Sequence, residues 1–185
     1  MNDYTIFDLE TTGLGVNNLE IIEIGALRVR DGRVADVFQH LVKPKRPIDP
    51  RSTAINNITN AMVRNAPGIE EVFPEFVKFI GNDILMGHNI NRIDIPIIKR
   101  CWEKLLGGTV TNEAFDTLPY AKMRFDSDTS CSLQNLSIYF KLNTEGEHRS
   151  LADCYLTKAV YERLREMKPD KSAHGISKRT VHLIK

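Results

Sequence analysis

The chain begins with apolar runs separated by turn residues, a pattern that predicts three β-strands. Tyr4–Phe7 is a short apolar run, and Ile21–Arg30 (IIEIGALRVR) combines continuous apolar positions with alternation. Asp31-Gly32 is a two-residue hairpin signal, and Val34–Val42 then alternates as a returning strand. The pattern therefore predicts an antiparallel meander at the start of the chain.

Further along, the apolar positions recur with the helical period rather than the period of two. Gly68–Ile80 carries such a stripe, and Pro74 within it predicts a kink or a late helix start. Ile93–Leu106 carries a second stripe, where Pro96 is tolerable in a first turn. Two further helices are predicted at Ser132–Phe140 and Leu151–Met167.

Two short apolar runs between these helices predict the remaining strands, Ile84–Met86 and Ala114-Phe115. Strands that alternate with helices favour parallel pairing, so the fold class is α/β with a mixed five-stranded sheet flanked by helices. Residues 1–168 form the predicted domain. The tail, 169–185, is polar and basic without a clear period, so both disorder and docking stay open for it.

Composition narrows the class of protein. The 185 residues, 42% hydrophobic and 26% charged, are ordinary for one globular domain. A net charge of +1 is not typical of a non-specific nucleic-acid binder, but it allows an enzyme that holds a strand end in one cleft. No apolar run approaches the ~18 residues that span a membrane. The three scattered cysteines and the N-terminus without a signal-peptide pattern favour the cytoplasm.

Two carboxylates stand at the end of the first apolar run, Asp8 and Glu10. Residues i and i+2 of a strand share a face, so both side chains are expected at the same edge of the sheet. Like charges held this close repel each other, and a hard divalent cation such as Mg²⁺ would remove the repulsion. Taken alone, the pair has a plainer interpretation as two exposed charges at a strand end.

Two later stretches offer partners for this pair. GHNINRID places Asn89 after the fourth predicted strand and Asp94 at the mouth of a helix, although Asp94 alone is also an ordinary helix cap. His88 alone is interpreted as a hydrogen-bonded structural histidine. His148 and Asp153 straddle the start of the last helix, five residues apart, so the histidine is expected on the preceding loop.

In this order, FDLETTGLG, IIEIGALRV, GHNINRID and HRSLAD resemble the motifs of the DEDDh, or DnaQ-like, 3′→5′ exonucleases. The resemblance covers Tyr4 to about Arg165. The family includes the proofreading subunits of DNA polymerases and the TREX-type DNases. It implies a ribonuclease H-like fold, metal-binding acids at Asp8, Glu10, Asp94 and Asp153, and a general base at His148.

The resemblance also implies the reaction. Two divalent cations, Mg²⁺ or Mn²⁺, would serve hydrolysis at the 3′ end of single-stranded DNA and release nucleoside 5′-monophosphates. Thr11, Thr12, Leu14 and Asn89 are expected to contact the terminal nucleotide. A DNA polymerase partner and a free-standing nuclease are both open, and some members of the family are dimers, so a homodimer is open too.

Two departures from the family pattern concern substrate contacts rather than the acids. Asn56-Asn57-Ile58-Thr59 stands where many relatives have a Thr-Gly-Ile-Thr-like run, and Arg92-Ile93 precedes Asp94 where many have Phe.

Three alternatives to the DNase account for parts of the sequence. The same chemistry on RNA is the principal one, because no residue indicates whether a 2′-hydroxyl is accepted. A haloacid-dehalogenase-type phosphatase would explain Asp8-Leu9-Glu10-Thr11-Thr12 but not His148 and Asp153. A non-catalytic nucleic-acid-binding module would not need the intact acids. A P-loop enzyme is excluded, since no G-x-x-x-x-G-K-[ST] occurs.

Overall fold

The computed structural model describes residues 1–13, 19–143, 148–169 and 181–183 as an α/β domain around one mixed sheet. The strands are β1 Tyr4–Thr11, β2 Ile21–Arg30, β3 Arg33–Leu41, β4 Leu85–Gly87, β5 Glu113–Asp116 and β6 Val181–Leu183. The helices are α1 Pro50–Asn56, α2 Asn60–Val63, α3 Ile69–Ile80, α4 Asp94–Leu106, α5 Thr117–Lys122, α6 Leu133–Tyr139 and α7 Ser150–Glu166.

The predicted meander is confirmed. β2 pairs antiparallel with both β1 and β3, and the hairpin turn lies at the predicted Asp31-Gly32, where φ is 50° and 74°. Two successive positive φ angles are what a two-residue hairpin turn with right-handed strand twist requires. The pairing places β2 in the interior of the sheet, between β3 and β1.

The parallel half of the sheet follows on the other side of β1. β4 pairs parallel with β1, and β5 pairs parallel with β4, so the order is β3-β2-β1-β4-β5-β6. The five predicted strands are all present. Within the tail 169–185, Val181–Leu183 adds a sixth strand, antiparallel to β5. Residues 170–180 and 184–185 lie outside the described ranges.

Alternate residues of β1 pack against opposite layers of helices. Phe7 and Leu9 belong to the core beneath α3 and α4, whereas Tyr4 and Ile6 pack with Cys154 of α7. Asp8 and Glu10 continue the Tyr4–Ile6 side of the strand. The two acids therefore project toward the layer that contains α7.

The helices follow the apolar stripes. α3 begins at Ile69 and runs through Pro74, so Pro74 does not cause a late start, which was one of its two predicted effects. Pro96 lies in the first turn of α4 as predicted. The short helix α5 was not predicted; its N-cap is Asp116, whose side chain accepts a hydrogen bond from the Leu118 N–H. Among the described residues, no helix is long and apolar enough to cross a membrane.

Candidate active site

Three of the predicted acids converge at one edge of the sheet. One carboxylate oxygen from each of Asp8, Glu10 and Asp153 lies within 4.8 Å of the others. Two of these residues come from the end of β1, and the third comes from the first turn of α7, 143 residues after Glu10 along the chain. Oxygen ligands at this separation form a set that suits a hard divalent cation.

Asp94 lies beside this group but outside the 4.8 Å set. It begins α4, is buried, and its Oδ1 accepts a hydrogen bond from the Leu9 N–H at 3.2 Å. The ladder between β1 and β4 pairs only Thr5 and Ile6 of β1, so Leu9 lies beyond the parallel pairing. Asp94 thus ties the start of α4 to the strand that carries the other acids.

Burial and nearby negative charges raise the pKa of three of these carboxyl groups, those of Asp8, Glu10 and Asp94. Burial, and then the charge of Asp94, raise the pKa of Asp8 well above its ordinary value. Burial is the main cause at the other two positions as well, where the pKa reaches about 8 for Glu10 and about 7 for Asp94. Without a cation, the cluster is therefore partly protonated near neutral pH.

A cleft of about 280 Å³ opens above the acids. Asp8, Glu10, Asp94 and Asp153 all line it, and among its described lining residues there is no Lys or Arg. A negatively charged substrate would meet only acidic and neutral side chains here. The residues present therefore fit a bound cation, which would reverse the sign of the potential in the cleft.

The predicted base, His148, lies at the start of α7 rather than in the wall of the cleft. Its side chain is exposed, its backbone is left-handed (φ 64°), and its N–H donates to Asp153 Oδ1 at 3.3 Å. The preceding residues, 144–147, lie outside the described ranges. The backbone N–H of His148 thus links this residue to Asp153, which lines the cleft.

The predicted substrate contacts differ in position. Thr11 and Asn89 line the cleft. Thr12 is buried outside the lining: its N–H donates to the Glu20 carbonyl, its Oγ1 accepts from the Glu20 N–H, and its carbonyl accepts from the Asp49 N–H. Thr12 thus joins the end of β1 to Glu20 and Asp49, a role that leaves few of its polar groups for a nucleotide. Leu14 lies outside the described residues.

His88 has the structural role that was expected for it. Its Nε2–H donates to the Cys131 carbonyl at 2.9 Å, and its Nδ1 lies 2.9 Å from Thr117 Oγ1. Burial lowers its pKa, which favours the neutral ring. Both ring nitrogens have protein partners, so His88 shapes the cleft without being available as a metal ligand.

Two supporting residues were not predicted. Asn56, at the end of α1, donates from Nδ2 to Glu10 Oε2 at 3.0 Å and is almost fully buried. Asp116, at the end of β5, accepts from the Asn89 and Asn91 N–H groups and so holds the loop that leads to Asp94. The signal for Asp116 was present in its position after an apolar strand. For Asn56 the signal was the departure from the family pattern.

Comparison with known proteins decides the family. Residues 5–161 match the RNase_T exonuclease family. The chain belongs to this exonuclease family. Its DnaQ-like relatives place it among the DEDDh 3′→5′ exonucleases, whose members are characteristically metal-dependent nucleases. The five strands and flanking helices predicted from the sequence agree with the ribonuclease H-like fold of this family.

The related sequences include polymerase components. Over 163 residues, this chain is 35% identical to the DNA polymerase III subunit epsilon of Aquifex aeolicus. The match covers 88% of this chain and 80% of that protein. The sequence is also 33% identical over 176 residues to a PolC-type DNA polymerase III of Clostridium perfringens, covering 95% of this chain. The matched region spans only 12% of that polymerase.

Solved structures of exonucleases have the same architecture. Exonuclease X in complex with 5′-overhanging duplex DNA matches with a TM-score of 0.68 and 32% identity, over 86% of this chain and 89% of that one. E. coli exonuclease I in complex with a dT13 oligonucleotide matches with a TM-score of 0.79, over 90% of this chain and 42% of that one. At 18% identity the second match supports the fold alone.

Proposed function

We propose that this exonuclease hydrolyses single-stranded DNA from its 3′ end, releasing nucleoside 5′-monophosphates with two bound divalent cations. The observation that carries the proposal is the convergence of Asp8, Glu10 and Asp153 within 4.8 Å, beside Asp94, in a cleft whose described lining has no cationic side chain. Carboxylates in this arrangement repel a phosphodiester unless cations are bound between them.

The four acids are assigned as the metal ligands. Mg²⁺ or Mn²⁺, when bound, would polarise the phosphodiester and offset the charge that develops on the leaving oxygen. Asn56 would hold Glu10 Oε2, and the Leu9 N–H would hold Asp94 Oδ1, so that each carboxylate keeps its orientation in the cleft.

His148 is assigned as the general base. Histidine is the side chain that most often serves as a general base near neutral pH. Its ring nitrogen would take a proton from the attacking water as the oxygen adds to phosphorus. The bond from phosphorus to the 3′ oxygen of the penultimate nucleotide then breaks, and that oxygen takes up a proton from solvent water. The exposed position at the start of α7 leaves the ring accessible to water and substrate.

The terminal nucleotide would lie against the cleft residues Thr11 and Asn89, with Leu14 as the predicted contact to its base. DNA is favoured as the substrate because relatives that share about a third of their sequence with this chain are a DNA polymerase subunit and an exonuclease bound to DNA. A polymerase partner, a homodimer and a cytoplasmic location stay predictions.

The test uses 5′-labelled single-stranded DNA and RNA of the same sequence, each with Mg²⁺, Mn²⁺ or EDTA. We expect a ladder shortened one nucleotide at a time from the 3′ end with either metal, and none with EDTA. An Asp8→Asn variant purified in parallel excludes a contaminating nuclease. No ladder on either nucleic acid would contradict the proposal, and faster cleavage of RNA would assign the exoribonuclease alternative instead.

A further inference from the structure

Glu23 is a buried acid that the proposed reaction does not use. It lies on β2 directly opposite Glu10 of β1, and its side chain has no exposed surface. Directly opposed residues of an antiparallel pair project to the same face, so Glu23 points toward α7, as Glu10 and Asp8 do. Adding a negative charge here increases the repulsion within the acid cluster. Because Glu23 occupies an electrostatically unfavourable position, we expect it to have another role in the protein.

The Glu23 carboxylate is saturated with hydrogen-bond donors. Arg149 donates from Nε at 3.1 Å and also from Nη2, the Ser150 N–H donates at 3.1 Å, and Gln39 Nε2 donates at 3.2 Å. Burial alone would raise the pKa of Glu23, but the hydrogen bonds and charge of Arg149 and the hydrogen bond from the Ser150 N–H hold this pKa below its ordinary value. Glu23 is therefore an ionised anchor with no oxygen left open for a metal.

The anchor acts on the segment that carries two catalytic candidates. Arg149 and Ser150 lie between His148 and Asp153, at the start of α7. Arg149 is the N-cap residue of α7, and its guanidinium, which has no acceptor for the first N–H groups of the helix, is turned to Glu23. The Asp153 N–H donates to the Arg149 carbonyl at 3.0 Å, and Asp153 Oδ1 accepts from the His148 N–H. The Glu23 contacts thus reach both residues through one short stretch of backbone.

A second contact presses the same stretch against β2. A Cβ atom added to Gly25 would lie 2.5 Å from backbone atoms of both Ser150 and Leu151. Only a residue without a side chain allows this approach. The start of α7 thereby packs on β2 at two positions. These are the close backbone contact at Gly25 and the charged anchor at Glu23, two residues away on the same face of the strand.

We propose that Glu23, acting through Arg149 and the Ser150 N–H, is the positioning residue that orients the His148–Asp153 turn for catalysis. This inference rests on the proposed function, because it assumes that His148 acts in the hydrolytic step. Loss of the anchor would leave the acids of β1 and α4 in place and let the histidine turn move. Displacements of about 1 Å commonly lower turnover by about 10²-fold.

The test is a double-mutant cycle between Arg149→Ala and His148→Ala, with kcat and KM measured on a short single-stranded oligonucleotide. In the wild-type background we expect Arg149→Ala to lower kcat about 10- to 100-fold with little change in KM. In the His148→Ala background the same change should lower kcat by a clearly smaller factor, because only Asp153 is then left to be positioned. A purely structural role would lower kcat equally in both backgrounds.

Removal of Arg149 alone leaves a buried charge without its partner, and the variant can fail to fold for that reason. The double variant Glu23→Gln/Arg149→Met removes both charges, and we expect it to be folded and to show the same loss of kcat. Arg30→Met is the matched control: it breaks the ion pair of Arg30 with Asp83, at the far end of β2, and should leave kcat unchanged.

The outcomes separate the two proposals. No 3′-end cleavage by the wild type, or full activity of His148→Ala, contradicts the proposed function. Full activity of both the Arg149→Ala and the Glu23→Gln/Arg149→Met variants, alongside an impaired His148→Ala, leaves the proposed function standing and overturns the positioning role. Additive losses in the cycle overturn it as well.

Discussion

Replacing Glu10 with Gln is expected to stabilise the metal-free protein while removing its activity. Glutamine keeps the size of the side chain and an oxygen that can accept the hydrogen bond from Asn56. It removes a carboxyl group whose pKa is raised to about 8 by burial and by the neighbouring acids. The expected gain in stability therefore comes from removing a carboxyl group that ionises unfavourably in the folded protein, and not from a new contact.

The magnitude follows from the difference in pKa between the folded and unfolded states. The ordinary pKa of 4.5 lies 2.5 pH units below pH 7, and each unit corresponds to about 1.36 kcal/mol. At pH 7 the folded protein holds a proton that the unfolded chain has released, which lowers the free energy of unfolding by up to about 3 kcal/mol. The neighbouring acids share the same repulsion, so this value is an upper limit.

The sign of the pH dependence is part of the prediction. A folded-state pKa above the unfolded value means that stability is fully present below about pH 4.5 and is lost as pH rises toward 8. The Glu10→Gln variant has no carboxyl group at this position, so it does not lose this stability as the pH rises. The difference in free energy of unfolding between variant and wild type should be near zero at pH 4.5 and should grow steadily up to about pH 8.

Urea denaturation in EDTA, at several pH values between 4.5 and 8, measures this difference. Glu162→Gln is a suitable control, because it removes an exposed carboxylate of α7 whose i,i+4 pair with Lys158 is worth only about 0.3–0.5 kcal/mol. Saturating Mn²⁺ should reverse the order, since only the wild type keeps the full set of ligands. A Glu10→Gln variant that is no more stable than the wild type in EDTA at pH 7, or whose advantage does not grow with pH, would refute the reasoning.

Three further predictions concern the same cleft. His148→Ala should lower kcat by about 10²–10⁴-fold, the usual size for a general base, with an unchanged urea midpoint; near wild-type turnover would argue against the assignment. Asn56→Ala should weaken Mn²⁺ binding or activity by about 10- to 100-fold, because Glu10 loses the donor that orients it, and calorimetry showing equal affinity would remove Asn56 from the metal site. Mn²⁺ affinity should fall as pH is lowered from 8 to 6, since binding displaces protons from Glu10 and Asp94, and a flat profile would contradict the raised pKa values.

The parts of the fold with a strong local signal were predictable from the sequence. The hairpin at Asp31-Gly32 and the strand Ile21–Arg30 lie at the predicted residues because period-two patterning and turn residues act over short distances. β1 extends past the predicted Phe7 to Thr11, because pairing with β2 carries its polar end into the sheet. The helix α5 has only six residues and no long apolar stripe, so no periodic signal marked it.

The sequence predicted that the four acids lie near one cleft, but not how they are arranged there. The order of the acids indicated a common cleft, yet it could not show that Asp94 lies outside the 4.8 Å group formed by the other three. Asn57 is also instructive: it stands at the glycine position of the family pattern and adopts the left-handed conformation (φ 59°), which asparagine tolerates. The Asn56–Glu10 contact joins residues 46 positions apart, a distance at which no sequence period operates.

The identity of the first product tests the central claim most directly. A single-stranded DNA oligonucleotide is labelled with ³²P only at its 3′-terminal phosphodiester and incubated with excess enzyme and Mg²⁺. The account predicts that the label leaves as a nucleoside 5′-monophosphate in the first turnover with the wild type, and that it stays on the strand with Asp8→Asn or EDTA. Label retained as a 3′-phosphate on a shortened strand, or released equally by Asp8→Asn, would contradict it.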